Sequence, residues 1–158
     1  MWAATPVIEA AHETPVGRVI LTEEAGYLTR LRWSDAPVAG ASPLLDAARR
    51  QLDAYFQADL KRFTLPMAPR SSAFQHYVYE AMMAIRRGET LTYGHIARML
   101  DASPQAVGQA CGANPLPILI PCHRVLAADG GLGGYSGAGG VETKVALLRL
   151  EGAAGLLI

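Results

Sequence analysis

Cysteine is scarce in this chain. Its 158 residues include two, Cys111 and Cys122, with no C-x-x-C pair and no second cysteine cluster. That excludes a disulfide scaffold and a structural zinc site, and it fits a reduced, cytoplasmic setting. Net charge is also missing: 14 Lys and Arg balance 14 Asp and Glu, so no global basic field of the kind that marks many nucleic-acid binders surrounds the protein. No apolar run approaches the roughly 18 residues that span a bilayer, and the N-terminus lacks a basic-then-apolar leader; the reading is a protein with no membrane partner. Internal repeats are absent as well. What is present is apolar mass, 51% of residues, enough to bury a core in one domain or two small ones.

The most informative segment is Ile120-Pro121-Cys122-His123-Arg124-Val125, which sets a thiol beside an imidazole after the apolar run Leu116 to Ile120. A thiol attacks as its thiolate, and a neighbouring imidazole is a fit proton acceptor, with the imidazolium able to hold the thiolate charged. Cys122 is therefore the candidate nucleophile. The apolar run reads as the start of a buried strand, and there lies a geometric problem: adjacent side chains of a strand point to opposite faces. Contact between Cys122 and His123 then needs a bend, which Pro121 can supply, or a bridging water.

Val16–Thr22 and Tyr27–Trp33 read as antiparallel strands joined through Glu23-Glu24-Ala25-Gly26. Ser42-Pro43 marks a helix start, with Leu45, Ala48, Leu52, Tyr55 and Phe56 on one face of a helix over about residues 43 to 58. Pro66, Pro69 and Ser71-Ser72 punctuate the middle and suggest a boundary there. Beyond it, a Ser72 cap opens a helix whose apolar repeat is Phe74, Val78, Ala81, Met82 and Ile85, with Met83 also read as core and Gly88 read as its C-terminal glycine. Thr92 caps a short helix and Ser103-Pro104 a second, ending near Gly112; such a pair suggests a helix-turn-helix over about 92 to 113. Residues 130 to 140 hold seven glycines without a dinucleotide or P-loop pattern. A final helix, Val141 to Glu151, presents Val145 and Leu148 on its apolar face and stops at Gly152.

Thr14-Pro15-Val16-Gly17, Phe74-Gln75, Gly88-Glu89-Thr90-Leu91-Thr92-Tyr93-Gly94, Ala106-Val107-Gly108, Asn114-Pro115, Pro121-Cys122-His123-Arg124-Val125, Tyr135-Ser136-Gly137 and Leu150-Glu151-Gly152 follow one another in this order. With these motifs the chain resembles the O6-alkylguanine-DNA alkyltransferases, repair proteins that take an alkyl group from damaged guanine and are consumed in doing so. The resemblance implies an α/β (α+β) fold. A small N-terminal antiparallel sheet with a helix would occupy residues 1–69 in a supporting role, and a mainly helical alkyltransferase domain with the helix-turn-helix would occupy 70–158. It implies Cys122 as alkyl acceptor, His123 as base through a water, Glu151 as the carboxylate orienting the imidazole, and Asn114 as a brace around Cys122. Tyr93 and the backbone at Ser136 would donate to the departing guanine. Gln105, Ala106, Gly108, Arg124, Val125, Tyr135, Ser136 and Gly137 would meet the base or the DNA, with Arg98 and Arg124 read as candidates for phosphate contacts or for ordinary salt bridges. The implied partner is double-stranded DNA carrying O6-alkylguanine, the base flipped out of the stack. The implied state is a monomer, cytoplasmic at the nucleoid, with no cofactor and no metal.

Two positions depart from the family pattern. Gln105 stands where the family has an arginine that fills the gap left by the flipped base, which predicts slower action on duplex DNA. Cys111 stands where a larger apolar residue is expected, reading as core or as a second thiol at the pocket edge. Two rivals share the residues: a cysteine hydrolase or acyltransferase built on Cys122, His123 and Glu151, which would turn over, and a non-catalytic binder of alkylated DNA.

Overall fold

A computed structural model describes residues 6–128, 130–133 and 140–153. The chain divides into two compact units, Met1–Arg70 and Ser71–Ile158, each with its own core.

In the first unit, β1 (Val7–Thr14), β2 (Gly17–Glu24) and β3 (Tyr27–Trp33) form an antiparallel sheet in the order β1-β2-β3. The β2–β3 hairpin turns on Ala25 and Gly26, both at positive φ, the backbone that lets a two-residue turn match the twist of its strands. β1 carries no clean alternation: Glu9, His12 and Glu13 interrupt it, and among its residues Ala10 alone is fully buried. Its pairing with β2 is set from the turn, where the Thr14 hydroxyl donates to Gly17 O at 2.7 Å and accepts from Val16 N at 3.1 Å. β2 is the central strand, and its Val19-Ile20-Leu21 run is wholly buried. Across the sheet lies α1 (Pro43–Phe56), capped by Ser42 with proline in the first turn and burying Leu45, Ala48, Leu52 and Tyr55.

The second unit holds α2 (Ala73–Met83), β4 (Leu91–Thr92), α3 (Tyr93–Leu100), α4 (Pro104–Gly112), β5 (Val125–Leu126) and α5 (Val141–Glu151). Ser72 and Gln75 close a reciprocal capping box on α2, satisfying two amide donors that a helix start would otherwise leave open. α2 buries Val78, Tyr79, Ala81 and Met82, whereas Phe74 is half-buried and Met83 lies exposed. The expected helix-ending role of Gly88 also fails: α2 stops at Met83. Gly88 instead takes φ +87° in the following turn, where an added Cβ would stand 3.1 Å from Glu151 O. α3 and α4 are the expected pair. Thr92 and Ser103 cap them, and between them Asp101 ends α3 in the left-handed conformation. Ile96, Ala97, Val107, Ala110 and Cys111 bury their shared side. On α5 the buried face is Thr143, Lys144, Leu147, Leu148 and Glu151, with Val145 only half-buried. Overall the fold is α+β, a three-stranded antiparallel sheet with one helix preceding a mainly helical unit.

Candidate active site

The run before the thiol is not a strand. Residues 115–120 form turns, buried from Leu116 onward, because Asn114 captures the backbone that a strand would need. Its Oδ1 accepts from Leu116 N at 3.0 Å and its Nδ2 donates to Ile120 O at 2.9 Å. Ile120 N returns to Leu116 O at 2.8 Å, which closes a loop whose middle residue, Ile118, sits at φ +72°. For a β-branched residue that is a strained backbone, on the order of 1–3 kcal/mol, which persists only when surroundings over-determine it. Pro121 then occupies the centre of an inverse γ-turn, φ −80° and ψ 65°, with Cys122 N donating to Ile120 O at 2.8 Å. Proline is pre-set for that φ and has no amide to lose.

From this turn Cys122–Arg124 winds as a single 3₁₀ turn before β5, which lies parallel to β4 with Val125 opposite Leu91. Successive side chains of a 3₁₀ turn diverge by about 120° rather than pointing to opposite faces. The bend that adjacency required is thus present, at Pro121 and the turn after it. Cys122 is 4% exposed and His123 wholly buried.

His123 Nε2 lies 2.7 Å from Glu151 Oε2. The same carboxylate is gripped by Arg124, whose Nε donates to Oε1 and whose Nη2 donates to Oε2, both at 2.9 Å, while Nη1 reaches Ile85 O at 2.6 Å. With Glu151 ionised, Nε2 carries the imidazole proton and Nδ1 is the acceptor. Nδ1 is buried and has no partner among the described residues.

Burial dominates the electrostatics. It pushes the Cys122 thiol above its ordinary value, opposed by a hydrogen bond from the Asn114 side chain and by the Lys144 charge. It pushes the His123 imidazole down, against the pull of Glu151, with Arg124 and Lys144 adding to the decrease. Both shifts favour the neutral thiol and the neutral imidazole over the thiolate and imidazolium that adjacency alone suggested. Cys111 is pushed up as well, to about 12, by burial and by Cys122. Its sulfur sits 3.5 Å from Met82 Sδ in the core, so it behaves as packing.

The sequence-derived residues do not all meet. Cys122, His123, Glu151 and Asn114 converge. Tyr93, the first residue of α3, is half-buried with its hydroxyl held protonated, burial raising its pKa to about 12. An added Cβ on Gly133, at φ +65°, would stand 3.1 Å from the Tyr93 ring. Gln105 is exposed on the first turn of α4, and Ala106 and Gly108 are partly exposed. Arg98 is exposed on α3. Of its two readings Arg124 takes the salt bridge: it is buried with its guanidinium on Glu151 and Ile85 O. Val125 is wholly buried in β5. Tyr135, Ser136 and Gly137 lie outside the described residues.

Sequence reasoning missed Lys144 and Tyr79. Lys144 is wholly buried, donates to Val125 O at 2.7 Å and stands 5.8 Å from the centre of the Tyr93 ring. Its signal was a charge on the helical repeat Lys144, Leu147, Leu148, Glu151. Tyr79 is buried with its hydroxyl unpartnered among the described residues, and its pKa is raised by burial and by the two cysteines. Among the described residues no His, Cys, Asp and Glu side chains gather as a metal site, and no helix is long and apolar enough to cross a membrane.

Comparison with known proteins matches both units. Residues 7–69 fit the ribonuclease-like domain of 6-O-methylguanine DNA methyltransferase, and residues 73–153 fit its DNA binding domain. A methylated-DNA–protein-cysteine methyltransferase of Methanosarcina acetivorans is 39% identical over 154 residues, covering 90% of this chain and 97% of that protein. The protein of that name from Mycobacterium bovis is 38% identical over 148 residues, 92% of this chain and 86% of the relative. The crystal structure of the Mycobacterium tuberculosis O6-methylguanine methyltransferase superposes with a TM-score of 0.83 at 35% identity, covering 97% of each chain. A mycobacterial structure solved in complex with DNA gives 0.80 at 38% identity over 92% of each chain. With both domain models matched in order and relatives at this identity across almost the whole chain, the protein belongs to the O6-methylguanine-DNA methyltransferase family.

Proposed function

We propose that this protein repairs DNA by moving an alkyl group from O6 of guanine onto Cys122 in one irreversible step. The observation that carries this reading is the buried pair Cys122 and His123, with the imidazole anchored at Nε2 by a carboxylate and bare at Nδ1. In the reaction a bond forms between Cys122 Sγ and the alkyl carbon while the bond from that carbon to guanine O6 breaks. The thiol proton passes through a water to His123 Nδ1, and the electron pair leaves with guanine. Because burial favours the neutral thiol and the neutral imidazole, proton removal belongs to the displacement itself, with Glu151 stabilising the imidazolium as it forms.

Charge developing on guanine is met by the Tyr93 hydroxyl, which stays protonated and so can donate, and by the backbone at Ser136. Asn114 fixes the turn that aims the sulfur. The product is a thioether, which neither water nor imidazole cleaves, so one protein acts once. No cofactor enters.

A thiol this buried cannot reach a base inside a duplex. The lesion must be flipped out, at a cost of about a few kcal/mol supplied by binding. The α4 face supports the docking side. No charge lies between Ala102 and Cys122, and Gly108 is a helix-interior glycine with nothing within 4 Å of an added Cβ. Internal packing does not require it, whereas close approach to a minor groove does. Gln105 would stand at the gap left by the flipped base. The protein is read as a monomer acting in the cytoplasm at the nucleoid.

The test is intact-protein mass after mixing with a duplex oligonucleotide containing O6-methylguanine, followed by peptide mapping. The expected result is a single added methyl on Cys122, saturating at one equivalent, and none in Cys122→Ala. Multiple turnover would instead indicate a hydrolase, and lesion binding that survives in Cys122→Ala with no transfer by the wild type would indicate a non-catalytic binder.

A further inference from the structure

Arg124 follows the imidazole directly in sequence, yet its side chain turns back on the carboxylate that holds that imidazole. Both Glu151 oxygens accept from it, and Oε2 is shared between Arg124 Nη2 and His123 Nε2. The third contact, Nη1 to Ile85 O, fixes the fork to the end of the α2 segment. The Glu151 side chain is entirely buried.

A neutral imidazole carries one N–H, and which nitrogen holds it is set by what faces the other. An ionised carboxylate is only an acceptor, so it places the proton on Nε2. A protonated one donates, and would push the imidazole proton to Nδ1. A buried carboxyl without a cation beside it binds a proton. Guanidinium does not lose its own proton in proteins and matches a carboxylate with two parallel donors.

We infer that Arg124 is a positioning residue that sets the tautomer of His123: by keeping Glu151 an acceptor, it leaves Nδ1 as the bare nitrogen that receives the proton of Cys122. This rests on His123 being the base of the transfer. The other charged group facing the imidazole is Lys144 from α5. Tyr79 from α2, Tyr93 from α3 and Cys111 from α4 face the thiol side. Arg87, after α2, donates to Leu150 O at 3.4 Å beside Glu151.

The test uses the full chain as wild type, Arg124→Gln and Arg124→Lys. ¹⁵N spectra of histidine-labelled protein without DNA report the tautomer, and methyl transfer to the O6-methylguanine duplex is timed across the neutral and alkaline range. The wild type is expected to show Nε2–H. Arg124→Gln is expected to show Nδ1–H, to transfer roughly a hundredfold more slowly at neutral pH, and to recover as rising pH ionises Glu151. Arg124→Lys keeps the charge and should keep both the Nε2–H tautomer and the wild-type pH dependence.

An Nδ1–H tautomer in the wild type or in Arg124→Lys would overturn the inference, as would an equal loss at every pH in Arg124→Gln with the tautomer unchanged, the signature of a merely structural role. If Arg124→Gln does not fold, the wild-type and Arg124→Lys spectra decide. Absence of methyl on wild-type Cys122 would refute the proposed function instead, whatever the tautomer.

Discussion

Asn114→Ala removes the bracket that shapes the approach to Cys122, and its cost can be worked group by group. Leu116 N loses its partner in a buried setting, which costs about 1–3 kcal/mol. Ile120 O loses one donor but keeps Cys122 N, so its cost is that of an ordinary hydrogen bond, about 0.5–1.5 kcal/mol. Relaxation of Ile118 from its positive φ returns part of this. The net expectation is a loss of roughly 2–3 kcal/mol, a sizeable share of the 5–15 kcal/mol typical of a domain. The same relaxation moves the sulfur, and a displacement of about 1 Å costs on the order of a hundredfold in rate. The thiol also loses a hydrogen bond that favours its ionised form. Urea unfolding followed by circular dichroism measures the first quantity, and timed mass measurement of methyl transfer on folded protein measures the second. A stability loss under about 1 kcal/mol with an unchanged transfer rate would refute the bracket as the device that aims Cys122.

Gly133→Ala should slow transfer and lower stability by about 1 kcal/mol or more, since the position combines a left-handed φ with a Cβ 3.1 Å from the Tyr93 ring; thermal unfolding and transfer kinetics check both. Gly108→Ala should raise stability by up to about 1 kcal/mol, because its Cβ meets open space within a helix, yet weaken duplex binding measured by fluorescence anisotropy. Unchanged DNA affinity would remove α4 from the interface. For His123, the folded value lies below the unfolded one, so the unfolded state binds the extra proton first. Its contribution to stability is present above the unfolded value near 6.5 and is lost as pH falls toward the lowered folded value; His123→Gln should flatten this part of a stability-against-pH series. Gln105→Arg should speed transfer from duplex DNA without changing the rate on free O6-alkylguanine base, and equal gains on both would sink the base-flipping account of that position.

Local chemistry was legible wherever a few neighbouring residues decide the outcome. Ser42-Pro43, Ser72, Thr92 and Ser103-Pro104 each announce a helix start because capping is an exchange between a side chain and amides two or three residues away. The Ala25-Gly26 turn was readable for the same reason. β1 was not, since its charged residues mask the alternation and its pairing depends on β2. Leu116–Ile120 misled because apolar content specifies burial, not conformation; the Asn114 side chain decided against a strand.

By itself the sequence determined the nucleophile and its neighbour, the helix starts, and the family to which their order belongs, all of them properties carried by residue type and short spacing. Only the tertiary structure decided what Lys144 does and which of its two readings Arg124 takes. A charged side chain is written as surface until packing removes water from it, and then its worth depends on which partner a distant part of the chain brings within 3 Å, as Glu151 is brought to Arg124 at 2.9 Å. The protonation state of Cys122 and His123 is likewise a property of burial, which no short spacing records.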